Sequence, residues 1–456
     1  MRRSLACAAL AAAVIAASAA AQVPAGPSGR CDLVVTPRGD SARMNSVKQP
    51  SGAYNTFVGG GVTGHCPAQA LTLTADSAEY FGDLRRWHLI GAVHYQEPRL
   101  ILDSQVATYF LAEERLLAEG NVHTKLPSGT TLVGPRVEYF RAVPGLRAVA
   151  RMIAPGRPTI TIIGKDSTGK PETPMVLIAN TVVMDADSLV YASGRVEMTR
   201  EDVFAKCDTA ALDGSHEFAR LMRTPVITSR GKNPFTLYGT VIDLFGGGKQ
   251  LHRVLAKGAG KAVSDDGTVT SDTLDFQMES GGLSRMFAWG PSRARAVNPQ
   301  YDIISDSMDV RSPGERLREI RAVRKADAQS APDTTKFKTK ERDWLRGDTV
   351  LARFDSTPVT KADSAKQPAL LELVALGHAR SYYKIAPKDS TALGPAINYV
   401  RGQRVAIALR ERQVRTVTVT DSVAGVYIEP TPPVKKPKPD TTTATKTKAA
   451  PKSARP

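Results

Sequence analysis

The sequence predicts an all-β fold, a stack of antiparallel hairpins, and three observations carry that prediction. First, one pattern recurs at spacings of roughly 27 to 34 residues, a range in which repeats stack as like units. A small or acidic residue opens a run, an aromatic or aliphatic residue follows about four positions on, and a turn leads to Gly-x-Val and a second run. The clearest copies run from Asp76 to Gly91-Ala92-Val93, from Asp103 to Gly120-Asn121-Val122, and from Asn180 to Gly194-Arg195-Val196. Weaker copies open near Asp208, Gly239, Asp272, Asp306, Asp348 and Gly402, so the stack holds about ten degenerate hairpin repeats. Second, the runs alternate with period two: Val196 and Met198 interleave with Arg195, Glu197 and Thr199, as strands with one buried and one wet face do. Third, turn chemistry separates the runs, as in Pro127-Ser128-Gly129, and 36 Gly with 30 Pro favour turns over long helices.

Taken in order, the chain opens with an export signal. Arg2 and Arg3 precede an apolar run from Leu5 to Ile15 and the small residues Ser18 to Ala21, which predicts a cleavable signal over 1–21; the alternative is an uncleaved anchor. Residues 22–70 form a polar, Gly-rich segment bracketed by Cys31 and Cys66. In an oxidising compartment these two pair or remain free thiols; the pair is the expectation, because closing a loop of about 35 residues stabilises by about 3–4 kcal/mol. Cys207 is then left as a small core residue. The repeats fill 71–430, with a division into two halves near 150–175 as one way to cut them. Lys165 to Pro174, Lys325 to Arg342 and Asp355 to Pro368 read as insertions or mobile linkers. Pro313 to Ala328 fits either a helix or a strand pair. Residues 431–456 form a basic Pro/Lys/Thr tail that cannot bury a core.

Composition bounds the function. The chain has 456 residues, 42% apolar and 23% charged, so it can bury a large core and is not disordered throughout. Of its net charge of +16, two charges sit at Arg2 and Arg3 and six in the tail, leaving +8 for the body. So mild an excess suits an acidic lipid or polysaccharide better than a nucleic acid.

Three stretches carry a family likeness: Leu73 to Tyr80 (LTADSAEY), Gly91-Ala92-Val93, and Ala118-Glu119-Gly120-Asn121-Val122, with Val183 to Val196 a further copy. They resemble the OstA-like family of lipopolysaccharide transport, which includes the periplasmic bridge protein LptA and the periplasmic domain of the outer-membrane protein LptD. The resemblance implies a stacked antiparallel β-jellyroll, an open V-shaped solenoid whose apolar interior shelters lipid acyl chains. It implies lipopolysaccharide, or a similar anionic glycolipid, as the partner, and a place in the periplasm or in association with the outer membrane. Covering acyl chains in water calls for a long apolar trough, and unpaired terminal strands invite addition of inner- and outer-membrane transport components. Family bridge proteins are commonly shorter, and the amphipathic membrane strands of a translocon are not evident, so a soluble periplasmic component is expected.

The candidate lipid-groove residues are Leu73, Val93, Leu102, Val122, Val182, Val196, Leu274 and Phe276, which an ordinary closed β-core would use equally well. No catalytic site is expected. The seven His share no pattern, and G-x-S-x-G and H-E-x-x-H are absent. Ser381 to Lys384 matches S-x-x-K only formally, and Phe245 to Gln250 reads as a hairpin turn rather than a phosphate loop. No Cys/His set has metal spacing, and no cofactor or nucleic-acid partner is expected. The alternatives to lipid carriage are a non-catalytic envelope scaffold and a polysaccharide-active β-helical enzyme, which would need clustered acidic residues on one face.

Overall fold

The computed structural model describes residues 30–66, 69–163, 174–200, 203–229, 234–247, 250–265, 267–279, 282–299, 301–330, 340–355, 369–385, 394–410 and 413–429. The expected signal, the Lys165–Pro174 insertion except Pro174, and the tail lie outside the described residues. Within them the chain is all-β: thirty strands in one hydrogen-bonded antiparallel ladder, with a single 3-10 turn at Pro313–Glu315.

Most long strands are bent once, and the bend is the repeat seen in the sequence. Strand Leu71–Phe81 pairs with Arg86–Glu97 in two stretches, Thr72–Thr74 against His94–Gln96 and Ser77–Phe81 against Arg86–Ile90, separated by a register shift. The same break falls at Gly120-Asn121, Gly194-Arg195, Gly258-Ala259 and Gly377-His378. At each, one strand carries an extra residue and both bulged residues take positive φ. Glycine is required there for room as well as for φ. A Cβ on Gly91, at φ +77°, would lie 2.2 Å from the Asp76 carboxylate, and one on Gly120 would lie 2.4 Å from the Gln105 amide.

This explains the polar residue that opens each repeat: its side chain crosses the bare glycine of the next layer. Asn180, Thr240, Asp272 and Asp348 do so at Gly194, Gly258, Gly290 and Gly377. Asp306 stands at the same corner, its amide donating to the Arg324 carbonyl at 3.1 Å. Asp103, which the sequence placed in this series, does not belong: Gln105 holds the corner, and Asp103 pairs with His94 at 2.7 Å on the outward face.

Beyond the corner each strand has two arms, each stacking on the corresponding arm of the next layer. The split is plainest where short strands replace a bent one: Met175–Ile178 and Thr181–Asp185 pair with different arms of Leu189–Arg200. In the first arms, which in Leu71–Phe81 and Arg86–Glu97 are Ser77–Phe81 and Arg86–Ile90, register carries the inward row nearest the corner through Val182, Ala192, Ala210, Leu221, Ile242, Ala256, Leu274 and Ala288. In the N-terminal layers that row is small: Ala107, Ala118, Val137, Ala154 and Val182. One step outward the row is bulkier: Tyr109, Leu116, Tyr139, Met152 and Met184. In these layers small residues near the corner and larger ones away from it fill the space between the two arms. The inward residues of both arms join one core cluster running from Cys31 to Ile407.

The structure revises several element assignments. Pro313 to Ala328 is not a helix; after the 3-10 turn it is strand Glu319–Ser330, with Ile320, Ala322 and Ala326 buried. Its arginines alternate outward, a pattern that a helical reading of Leu317, Ile320 and Val323 obscures. The linker expected over Lys325–Arg342 begins inside that same strand, because Ala326 and Ala328 keep the inward alternation; residues 331–339 are outside the described set, as are 356–368 of the third insertion. The Gly-rich segment before residue 71 is also laddered: Val34–Pro37 and Arg43–Lys48 each pair with Tyr54–Cys66, which bends at Gly60-Gly61.

Candidate functional site

All eight groove candidates point inward. Leu73, Leu102, Val122 and Leu274 are fully buried, Val93, Val182 and Val196 nearly so, and Phe276 is half-buried against the same cluster. Register brings some together: Leu73 and Leu102 both lie opposite Tyr95 in the second arms. Val182 and Leu274 share the row beside the corner in the first arms, several layers apart, and Phe276 lies in the bulkier row. They are lining residues of one continuous apolar interior, not a compact constellation.

The two ends of this interior differ from its middle. Met44, opposite Val58 on the first strand of its arm, is 52% exposed, because no described strand stacks beyond Arg43–Lys48. At the other end Val414, Val426, Tyr427 and Ile428 are all about half exposed on the last two strands. Both terminal layers leave strand edges unpaired among the described residues.

A buried polar clasp joins the free ends of the two arms, and sequence reasoning missed it. Glu97 ends the second arm of strand Arg86–Glu97, whereas Glu114 lies in the turn at the end of the first arms, between Leu100–Phe110 and Arg115–Lys125. Arg141, beyond strand Thr131–Phe140, reaches both: its Nε donates to Glu97 at 2.8 Å and its Nη1 to Glu114 at 2.8 Å. Its Nη2 donates to the Gln69 side chain. The tyrosine hydroxyls complete the shell: Tyr95 and Tyr139 donate to Glu97, and Tyr109 donates to Glu114 at 2.7 Å. Burial, with the Glu97 carboxylate adding to it, holds the Tyr95 and Tyr139 hydroxyls well above their ordinary pKa, so they remain donors. Glu114 is fully buried and Arg141 only 8% exposed. One sequence signal was available: Glu97 falls on the inward parity of Tyr95, an acidic residue where the alternation demands an apolar one.

Cys31 and Cys66 form the expected disulfide, and it belongs to the same closure. Cys66 ends the second arm of Tyr54–Cys66, while the Cys31 amide donates to Glu114 at 2.6 Å, at the end of the first arms. The N-terminal segment therefore straps across the opening. Among the described residues, every other ion pair stays within one arm or at the corner. The clasp is confined to the N-terminal layers.

The outward face of the first arms is tied by carboxylates held between basic side chains. Arg220 grips Asp243 with two bonds of 2.7 and 3.0 Å, Lys257 adds a third at 3.1 Å, and Arg253 and Arg285 grip Asp275 and Asp309 in the same forked way. Asp243 is 1% exposed. Burial alone would raise its carboxyl, but the Arg220 and Lys257 hydrogen bonds outweigh that and hold it below the ordinary carboxylate range. A depressed native value gives stability that is present above the unfolded pKa and lost as pH falls through the native one. Denaturant titrations should therefore show Asp243→Asn costing about 2 kcal/mol at pH 7. The difference from wild type should shrink below about pH 4, the ordinary Asp range.

The remaining sequence candidates fall on the scaffold. His94 and His123 face outward. Cys207 is a buried thiol, pushed up to about 12 by burial. Ser381 is fully buried while Lys384 pairs with Asp343 at 2.7 Å, so they do not act together. Gly247 pairs with Gln250, a hairpin end. No cluster of three or more potential metal ligands occurs among the described residues, and none of their helices is long and apolar enough to cross a membrane. Compared with known proteins, the chain matches no family model and no curated relative.

Proposed function

We propose that this protein is a periplasmic lipid-binding component of lipopolysaccharide transport or assembly, a β-jellyroll of the OstA-like kind. Acyl chains would lie between its two arms. The observation that carries the reading is the single apolar interior, continuous through the layers from Cys31 to Ile407, between two sheets joined along one line of corners. The joined edge acts as a hinge line, and among the described residues the opposite edge is tied only by the N-terminal clasp and strap. Cargo would enter where the arms are not tied, parting inward side chains that otherwise cover one another. Burial of acyl surface at about 25 cal/mol per Å² offsets the cost of parting them. The unpaired edges and exposed apolar residues at both ends fit strand addition by inner- and outer-membrane transport components.

A second reading, a scaffold that carries no lipid, draws on the burial of the inward residues against their own neighbours. Site-specific photo-crosslinking in the envelope separates the two. A crosslinker at Val182 or Leu274, away from the clasp, should yield lipopolysaccharide adducts, and one at outward His94 should not. Adducts absent from both inward sites, in protein that is folded and exported, would favour the scaffold.

A further inference from the structure

The outward face of the second arms near the C-terminal end carries an ordered array of arginine and aromatic residues that lipid carriage does not use. Three consecutive strands, Trp344–Phe354, Leu370–Ile385 and Ala396–Arg410, each place an arginine two positions from an aromatic residue: Arg346 and Trp344, Arg380 and Tyr382, Arg401 and Tyr399. Register aligns them into two columns. Arg346 lies opposite Arg380, which lies opposite Arg401; Trp344 lies opposite Tyr382, which lies opposite Tyr399. The columns face away from the core, since the intervening Leu345, Ser381 and Val400 point into it. Trp344 and Tyr382 are stacked at 5.9 Å, Tyr399 meets Trp344 edge-on at 6.1 Å, and the Arg346 guanidinium lies 4.3 Å from the Trp344 ring centre.

Like charges directly opposite on neighbouring strands destabilise a sheet. This protein avoids that cost elsewhere by giving outward arginines carboxylates, as at Arg220, Arg253, Arg285 and Arg295. Here only Arg346 has one, Asp327 at 3.0 Å. Arg380 and Arg401 are exposed and have no carboxylate partner among the described residues. Strands lie about 4.8 Å apart, so the column spans about 10 Å. It presents guanidiniums suited to carboxylate or sulfate in an evenly spaced line.

We infer that this array is a binding surface for an acidic polysaccharide chain, with its anionic groups on Arg380 and Arg401 and its sugar rings along the Trp344–Tyr382–Tyr399 column. A nucleic acid would need open ring faces for its bases, whereas the Trp344 face is taken by Arg346 and the Tyr382 hydroxyl is held by Glu341 at 2.7 Å.

The test uses the full chain, wild type and Arg380→Gln/Arg401→Gln, so that the basic tail is common to both. Polygalacturonate should bind the wild type in a salt-sensitive manner, and at least tenfold more weakly to the double variant. Neutral dextran should bind neither, and oligodeoxythymidylate should bind the wild type more weakly than the uronate polymer does. Without ligand, the double variant should melt at the wild-type temperature or above it, because a repulsion has been removed. Equal polygalacturonate affinity in the two proteins, tighter binding of the oligonucleotide, or a lowered melting temperature would each overturn the assignment.

Discussion

Replacing Arg141 with Leu should be the most damaging single substitution in the protein, costing about 3–5 kcal/mol in equilibrium unfolding. The figure follows from what is left behind. Glu97 and Glu114 would stay buried at the free ends of the two arms, with tyrosine hydroxyls and the Cys31 amide as donors but no countercharge. Two neighbouring carboxylates without their shared guanidinium are far more costly than the intact cluster is favourable. The control is Arg141→Leu/Glu97→Gln/Glu114→Gln. If the loss comes from stranded charge, the triple variant should regain most of it; if the loss is of packing alone, it should not. Arg141→Lys should fall between, since one ammonium cannot reproduce donation from separate nitrogens to Glu97, Glu114 and Gln69.

The second large effect is expected at the disulfide. Cys66→Ser removes a covalent closure between residues 35 apart in sequence, worth about 4 kcal/mol on the chain-entropy account. The strap adds coupling to this loss: with Cys31 free, its amide no longer holds position at Glu114. Cys66→Ser combined with Arg141→Leu should therefore cost less than the two losses added together, because each variant already loosens the contact that the other relies on. Denaturant unfolding of the four proteins, with and without reductant, measures this directly. Strict additivity would mean that clasp and strap are independent.

The layered fold was legible because the corner imposes a local chemical demand. Bulged residues at positive φ, crossed by a polar side chain from the preceding layer, leave a glycine and an opening Asp, Asn, Thr or Gln in the sequence; Gly-x-Val follows at Gly91, Gly120 and Gly194, whereas Gly258 and Gly377 are followed by Ala259-Gly260 and His378-Ala379. Alternation then names the inward residues, and it placed all eight groove candidates on the inner face. Alternation failed where charge and loop composition dominate, as in Arg318 to Arg324 and at Lys325, since backbone pairing and two inward alanines suffice to hold a strand there. The clasp was not legible. Gln69, Glu97, Glu114 and Arg141 come from separate turns, and only the closing of two arms brings them together. The arginine column was hidden for a related reason: Arg346, Arg380 and Arg401 are neighbours by register, which depends on bulges at Gly377 and in the partner strands.

Lipid carriage rests on the arms being able to part around a guest. Native mass spectrometry of protein gently purified from the envelope measures this most directly. The account predicts a bound multi-acylated glycolipid, displaced stoichiometrically by added lipopolysaccharide and reduced when Leu274 is replaced by Asp in protein that remains folded. A folded wild-type protein that carries no lipid, and takes up none when lipopolysaccharide is supplied, would contradict it.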